Sequence, residues 1–104
     1  MIKELLINYL YYLKIKDYEM ANKYQKALNK NGVDDQTIQY LIFGEENKKE
    51  TKAICYVISY YLNNTDIEGL HENLYELFGS YKEAVTWFAD NDNLIKSVVY
   101  GIKS

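Results

Sequence analysis

His71 is the only histidine and Cys55 the only cysteine in a chain of 104 residues. Acid–base or metal chemistry at His71 needs partners; Glu68 and Glu72 are nearby in sequence, but no cysteine or second histidine is available to join them. His71 lies one position off the apolar stripe of its segment and reads as a surface or boundary residue. A lone cysteine forms neither a disulfide framework nor a thiolate metal site. Cys55 stands in the apolar run AICYVISYYL and reads as a small buried hydrophobe. Asp90 and Asp92 sit in the run Asp-Asn-Asp-Asn. That run lacks the spaced ligands, central glycine and closing glutamate of a calcium loop, and reads as a cap and turn. No glycine-rich phosphate loop is present, and no Ser–His–Asp order suggests nucleophilic catalysis. These patterns point away from an enzyme and imply neither a metal nor a cofactor.

Binding is the remaining chemistry, and charge is its first indicator. The net charge is −3, and all 12 basic residues are lysine. An acidic chain is unsuited to coating nucleic acid without specificity. The charge is uneven, however. Residues 1–52 carry nine lysines and eight acids, and residues 53–104 carry three lysines and seven acids. Lys48, Lys49 and Lys52 form a cluster that could hold phosphates. There are 12 tyrosines and no proline.

The elements that must position these groups are helices. Ile2, Leu5, Leu6, Tyr9, Leu10 and Leu13 recur at helical spacing on one wide face. Asp17 caps a second helix with the stripe Met20, Ala21, Tyr24, Ala27 and Leu28, which Asn31-Gly32 closes. Asp34 caps a third, short helix. Ile38 and Leu41 share its inner face, and Gly44 is expected to end it in a left-handed conformation. Glu45 to Lys49 read as a loop. Ala53 to Leu62 could be a buried strand, but no second strand pattern exists to pair with it, so a central helix is expected. Thr65-Asp66-Ile67-Glu68 and Ser80-Tyr81-Lys82-Glu83 read as capping boxes for two further helices, the first ended by Gly79. Asp90-Asn91-Asp92-Asn93 is expected to break the second of these and cap a last short helix. The expected fold is all-α: a compact bundle of six to seven short helices in a single domain.

No run of about 20 uncharged residues exists to cross a membrane, and Lys3 and Glu4 precede a short apolar run with no small-residue cleavage site, so no secretory signal is expected. The expected compartment is the cytoplasm.

The spacing Gly32-Val33-x-x-x-Thr37-Ile38-x-x-Leu41-x-x-Gly44 resembles the recognition helix of the lambda-repressor-like (XRE-type) helix-turn-helix family. Lys16-Asp17-Tyr18-Glu19-Met20-Ala21-Asn22-Lys23 is similar to that family's second helix, and Asn63 to Ile67 to the start of its fifth. The resemblance covers about residues 2–70 and leaves 71–104 as a helical extension. It implies a helix-turn-helix-like N-terminal part in which Asp35, Gln36, Gln39 and Tyr40 lie on or near the outward face of the third helix, while Val33, Ile38 and Leu41 pack inward. Glutamine can bond the adenine edge in the major groove. Three features depart from the pattern. About seven residues, Gln25 to Asn31, lengthen the second helix. Asp35 stands where a neutral or basic residue is usual. Phe43 replaces a polar residue, and no arginine is present.

Two functions follow as expectations. One is a DNA-binding regulator of phage or mobile-element type, reading double-stranded DNA through its third helix and dimerising through its C-terminal helices. The other is a non-enzymatic inhibitor that binds a host protein through an acidic, tyrosine-rich surface, like phage anti-defence or anti-CRISPR proteins.

Overall fold

The computed structural model describes residues 2–44 and 48–103, and for residues 43 and 48 the backbone alone. The described residues form six α-helices and no strand: α1 (Ile2–Lys14), α2 (Tyr18–Lys30), α3 (Asp35–Phe43), α4 (Lys48–Asn63), α5 (Ile67–Phe78) and α6 (Tyr81–Lys103). They gather into two compact units, residues 1–51 and 52–104, divided within α4.

In the first unit α1 packs along α2, and α3 follows α2 closely. The burial of α1 is wider than its sequence stripe. Every residue from Leu6 to Tyr11 is buried, while Ile2 is exposed. Asn8 is tolerated within that band because its amide donates to the Glu4 carbonyl at 2.9 Å. Lys16 takes a left-handed conformation, φ 61°, and turns the chain so that the Asp17 N–H donates to the Tyr12 carbonyl at 2.9 Å. Asp17 then caps α2 by accepting from the Met20 N–H at 3.2 Å. Tyr12 stacks on Tyr24 across the helix pair, centroids 5.6 Å apart.

Gly32 closes α2 with φ 85°. The Val33 N–H reaches back to the Leu28 carbonyl at 3.0 Å and the Gly32 N–H to the Asn29 carbonyl at 3.1 Å. This is a Schellman ending, and the two residues placed to make its usual apolar contact, Val33 and Leu28, are both buried.

Gly44 does not end α3 in the left-handed region. Its φ is −73° and ψ 141°, an extended conformation open to any residue. Space explains the glycine better. Its N–H donates to the Tyr40 carbonyl at 2.6 Å, and a Cβ there would collide with that same oxygen and lie 2.9 Å from the Tyr40 ring. Residues 45–47 of the expected loop lie outside the described residues. Lys48 and Lys49 belong to α4 rather than to a loop. Thr51, buried on α4, donates to the Leu41 carbonyl at 2.6 Å.

The second unit holds the rest of α4 with α5 and α6. Ala53, Ile54, Val57 and Ile58 are wholly buried, as expected of a central apolar helix, while Cys55 is half-buried. The cap of α5 is Asp66 rather than Thr65. Its carboxylate accepts from the Glu68 N–H at 3.2 Å, so the box read from Thr65 falls one residue out of register. Gly79 ends α5 with φ 70°, and Ser80 then caps α6 by accepting from the Glu83 N–H at 3.4 Å.

The expected break at Asp90–Asn93 is absent, and α6 runs unbroken for 23 residues. Asp and Asn disfavour helices because their side chains compete for the backbone. Here Asn91 bonds one turn back without breaking the helix, and Asp92 has its partner on α4. Asn91 is buried and donates to the Trp87 carbonyl at 2.7 Å. Asp92 accepts a short hydrogen bond from the Tyr61 hydroxyl on α4. Six helices therefore stand where six to seven were expected.

Candidate functional site

Val33 and Ile38 are buried and Leu41 is half-buried, so the inner face of α3 is the expected one. Gln36, Gln39 and Tyr40 are exposed on the other side, with Tyr40 at 48%.

Asp34 and Asp35 stand at the start of this helix. Asp34 is the cap, in an extended conformation, and accepts from the Thr37 N–H at 2.8 Å. Thr37, through its side chain and its backbone N–H, holds the Asp34 carboxyl below its ordinary value. Asp35 lies on the exposed surface, but its carboxylate is directed back at α2. It accepts from Gln25 Nε2 at 3.0 Å and from Asn29 Nδ2 at 3.0 Å. These two bonds, Gln25 first, keep its pKa depressed. Asn29 Nδ2 also donates to the Val33 carbonyl at 2.9 Å. One side chain thus ties the end of α2, the joint and the start of α3 together. Tyr9 on α1 has a raised pKa, chiefly from burial and then from the Asp35 charge.

The stretch Gln25 to Asn31 therefore supplies the two donors that fix Asp35. Sequence reading takes Asp35 as an outward group aimed at a ligand. The available signal was Gln25 and Asn29, four apart on one face of α2, with an acid just past the turn.

The lysine cluster is divided. The Lys48 side chain lies outside the described residues. Lys49 and Lys52 are exposed on α4, three apart and so on neighbouring positions of one face, with Lys52 in the second unit. In the first turn of the same helix Glu50 pairs with Lys3 at 2.9 Å, both partly exposed.

His71 is exposed on α5, and its ring meets Phe88 of α6 edge-on, centroids 5.4 Å apart. Among the described residues no three His, Cys, Asp or Glu side chains converge as metal ligands. No described helix is long and apolar enough to cross a membrane.

No family model matches the chain, and no curated protein and no solved structure matches it.

Proposed function

We propose that this chain is a non-enzymatic inhibitor that binds a host protein through the outer face of α3, in the place of a nucleic acid. One observation carries this reading: two carboxylates, both held ionised by hydrogen bonds, flank the exposed start of α3. A bare helix N-terminus attracts phosphate through its free N–H groups and its dipole. Here Asp34 already occupies the Thr37 N–H, and Asp35 adds a second negative charge. A phosphate approaching this end is repelled, whereas a lysine- or arginine-lined surface is attracted. Gln36, Gln39 and Tyr40 then supply hydrogen-bonding and aromatic contact beside the charge. Tyrosine is well suited to that role because it presents a large rigid surface with a polar tip.

A DNA-binding regulator is the second reading. It is favoured by the left-handed Gly32 joint between α2 and α3 and by the exposure of Lys49 and Lys52. Two fixed anions at the reading end of α3 weigh against it.

The test runs both readings together. The parent and Gln36→Ala/Tyr40→Ala are used as bait in host lysate and in a mobility assay on mixed duplex DNA at low salt. Recovery of one partner by the parent but not the variant, with no duplex shift, is the expected result. A duplex shift by the parent that weakens in the variant would overturn it in favour of the regulator.

A further inference from the structure

A second surface lies on the C-terminal unit. Between α5 and α6 a half-open apolar cavity of about 260 Å³ is lined by His71, Leu74, Tyr81, Val85 and Phe88 among others. Leu74 forms its floor and is buried, while Tyr81 is 70% and Val85 48% exposed. Soluble chains rarely leave such apolar groups adjoining on the surface without a use. The cavity is of a size to take one large aliphatic or aromatic side chain, and it is walled by a histidine–phenylalanine pair packed edge-on.

Charge states what kind of chain would bring that side chain. Glu68, Glu72 and Glu76 recur every four residues along α5, and all three are exposed. At helical spacing Glu68 and Glu72 flank the edge of α5 that carries His71 and Tyr75, while Glu76 turns further round the helix. Among the described residues none of these carboxylates meets a cation. The pattern is an apolar trough with an acidic border on one side. Its complement is a helix with an apolar stripe and a flank of lysine or arginine.

We infer that the α5–α6 trough is a docking site for a basic amphipathic helix of a partner protein, with an apolar anchor in the His71–Phe88 cavity and its cations along Glu68 and Glu72. The site is separate from α3 and does not depend on the role proposed for that helix.

The probe is a labelled peptide of about 16 residues, with leucines at i, i+3, i+4 and i+7 and lysines elsewhere. A counterpart carries glutamates for the lysines. Binding to the full chain is followed by fluorescence anisotropy. The parent is expected to bind the lysine peptide and not the glutamate one. Val85→Glu should weaken binding by about tenfold or more, since it places a charge in the trough. This variant discriminates, because binding by charge alone would strengthen when an acid is added. Glu68→Lys/Glu72→Lys, at exposed positions that leave the core untouched, should weaken it comparably and remove its salt dependence. Gln36→Ala/Tyr40→Ala should bind as the parent does.

The inference falls if the parent binds neither peptide, binds both alike, or binds the lysine peptide undiminished in Val85→Glu. It falls equally if only the α3 variant loses binding. If the parent self-associates and Val85→Glu is monomeric by sedimentation, the occupant is a second copy of the chain and the basic-helix partner is wrong. Loss of partner capture by the α3 variant alone, with peptide binding intact, leaves this inference standing while bearing only on the role of α3.

Discussion

Asp35 illustrates how a surface residue becomes structural without being buried. Its carboxylate accepts from Gln25 and Asn29, both on α2. The lowered pKa means the unfolded chain takes up its proton at higher pH than the folded chain does. The stabilisation is thus complete above the ordinary value of 3.8 and is lost as pH falls through that value toward the folded one. Asp35→Asn removes the titration but keeps one acceptor oxygen. It should melt below the parent near neutral pH, and the gap should narrow as pH is lowered through 3.8. Melting temperatures of the two proteins across that range decide it, and a gap constant with pH would refute the role. Lys16 is the opposite case, a residue at odds with its backbone. At φ 61° it occupies a region that favours glycine. Lys16→Gly should stabilise the chain by about 1 kcal/mol, visible as a rise in melting temperature of about 4–8 °C.

At the scale of elements, α6 shows local preference overridden by one bond within the helix and one to another helix. Asp90 to Asn93 look like a helix break when read alone. Asn91 donates to the Trp87 carbonyl one turn back in the same helix, Asp92 accepts from Tyr61 on α4, and the helix continues. The Tyr61 hydroxyl has a pKa raised well above the usual 10.0, first by burial and then by the bond to Asp92. Asp92→Ala would leave that hydroxyl buried and unpaired, at a cost of about 1–3 kcal/mol. Combined with Tyr61→Phe, the second substitution should add little, because the orphaned group is gone. Denaturant midpoints of the two single variants and the double variant test this, and fully additive losses would contradict it.

Periodicity and caps were enough for α1, α2, α3 and α5 and for the start of α6, because Asp17, Asp34, Ser80, Gly32 and Gly79 act within a few residues of themselves, while α4 was legible as a helix because no second strand pattern could pair with it. What was not legible depends on distant partners: the continuity of α6, the Asp35 junction and the trough between α5 and α6. Gly44 was legible as a required glycine but for another reason, since contact with Tyr40 rather than backbone sign excludes a side chain.

For the molecule as a whole, the decisive quantity is where its negative charge sits. A net −3 by itself weakens association with any polyanion. The α3 reading makes a stronger claim, that Asp34 and Asp35 are the charges that turn polyanions away from this face. Asp34→Asn/Asp35→Asn keeps the cap, since asparagine caps as well as aspartate, and takes the net charge from −3 to −1. Glu72→Gln/Glu76→Gln makes the same change in net charge on α5. If only the total mattered, both variants would behave alike. If position matters, the α3 variant should be retained on immobilised heparin at low ionic strength, while the parent and the α5 variant pass through unretained. Adding Lys49→Ala to the α3 variant should then reduce its retention, because that exposed lysine of the same unit would be a cation that holds the polyanion. Equal elution of the α3 and α5 variants would show that Asp34 and Asp35 carry no positional role, and the proposed use of α3 as an acidic binding face would go with it.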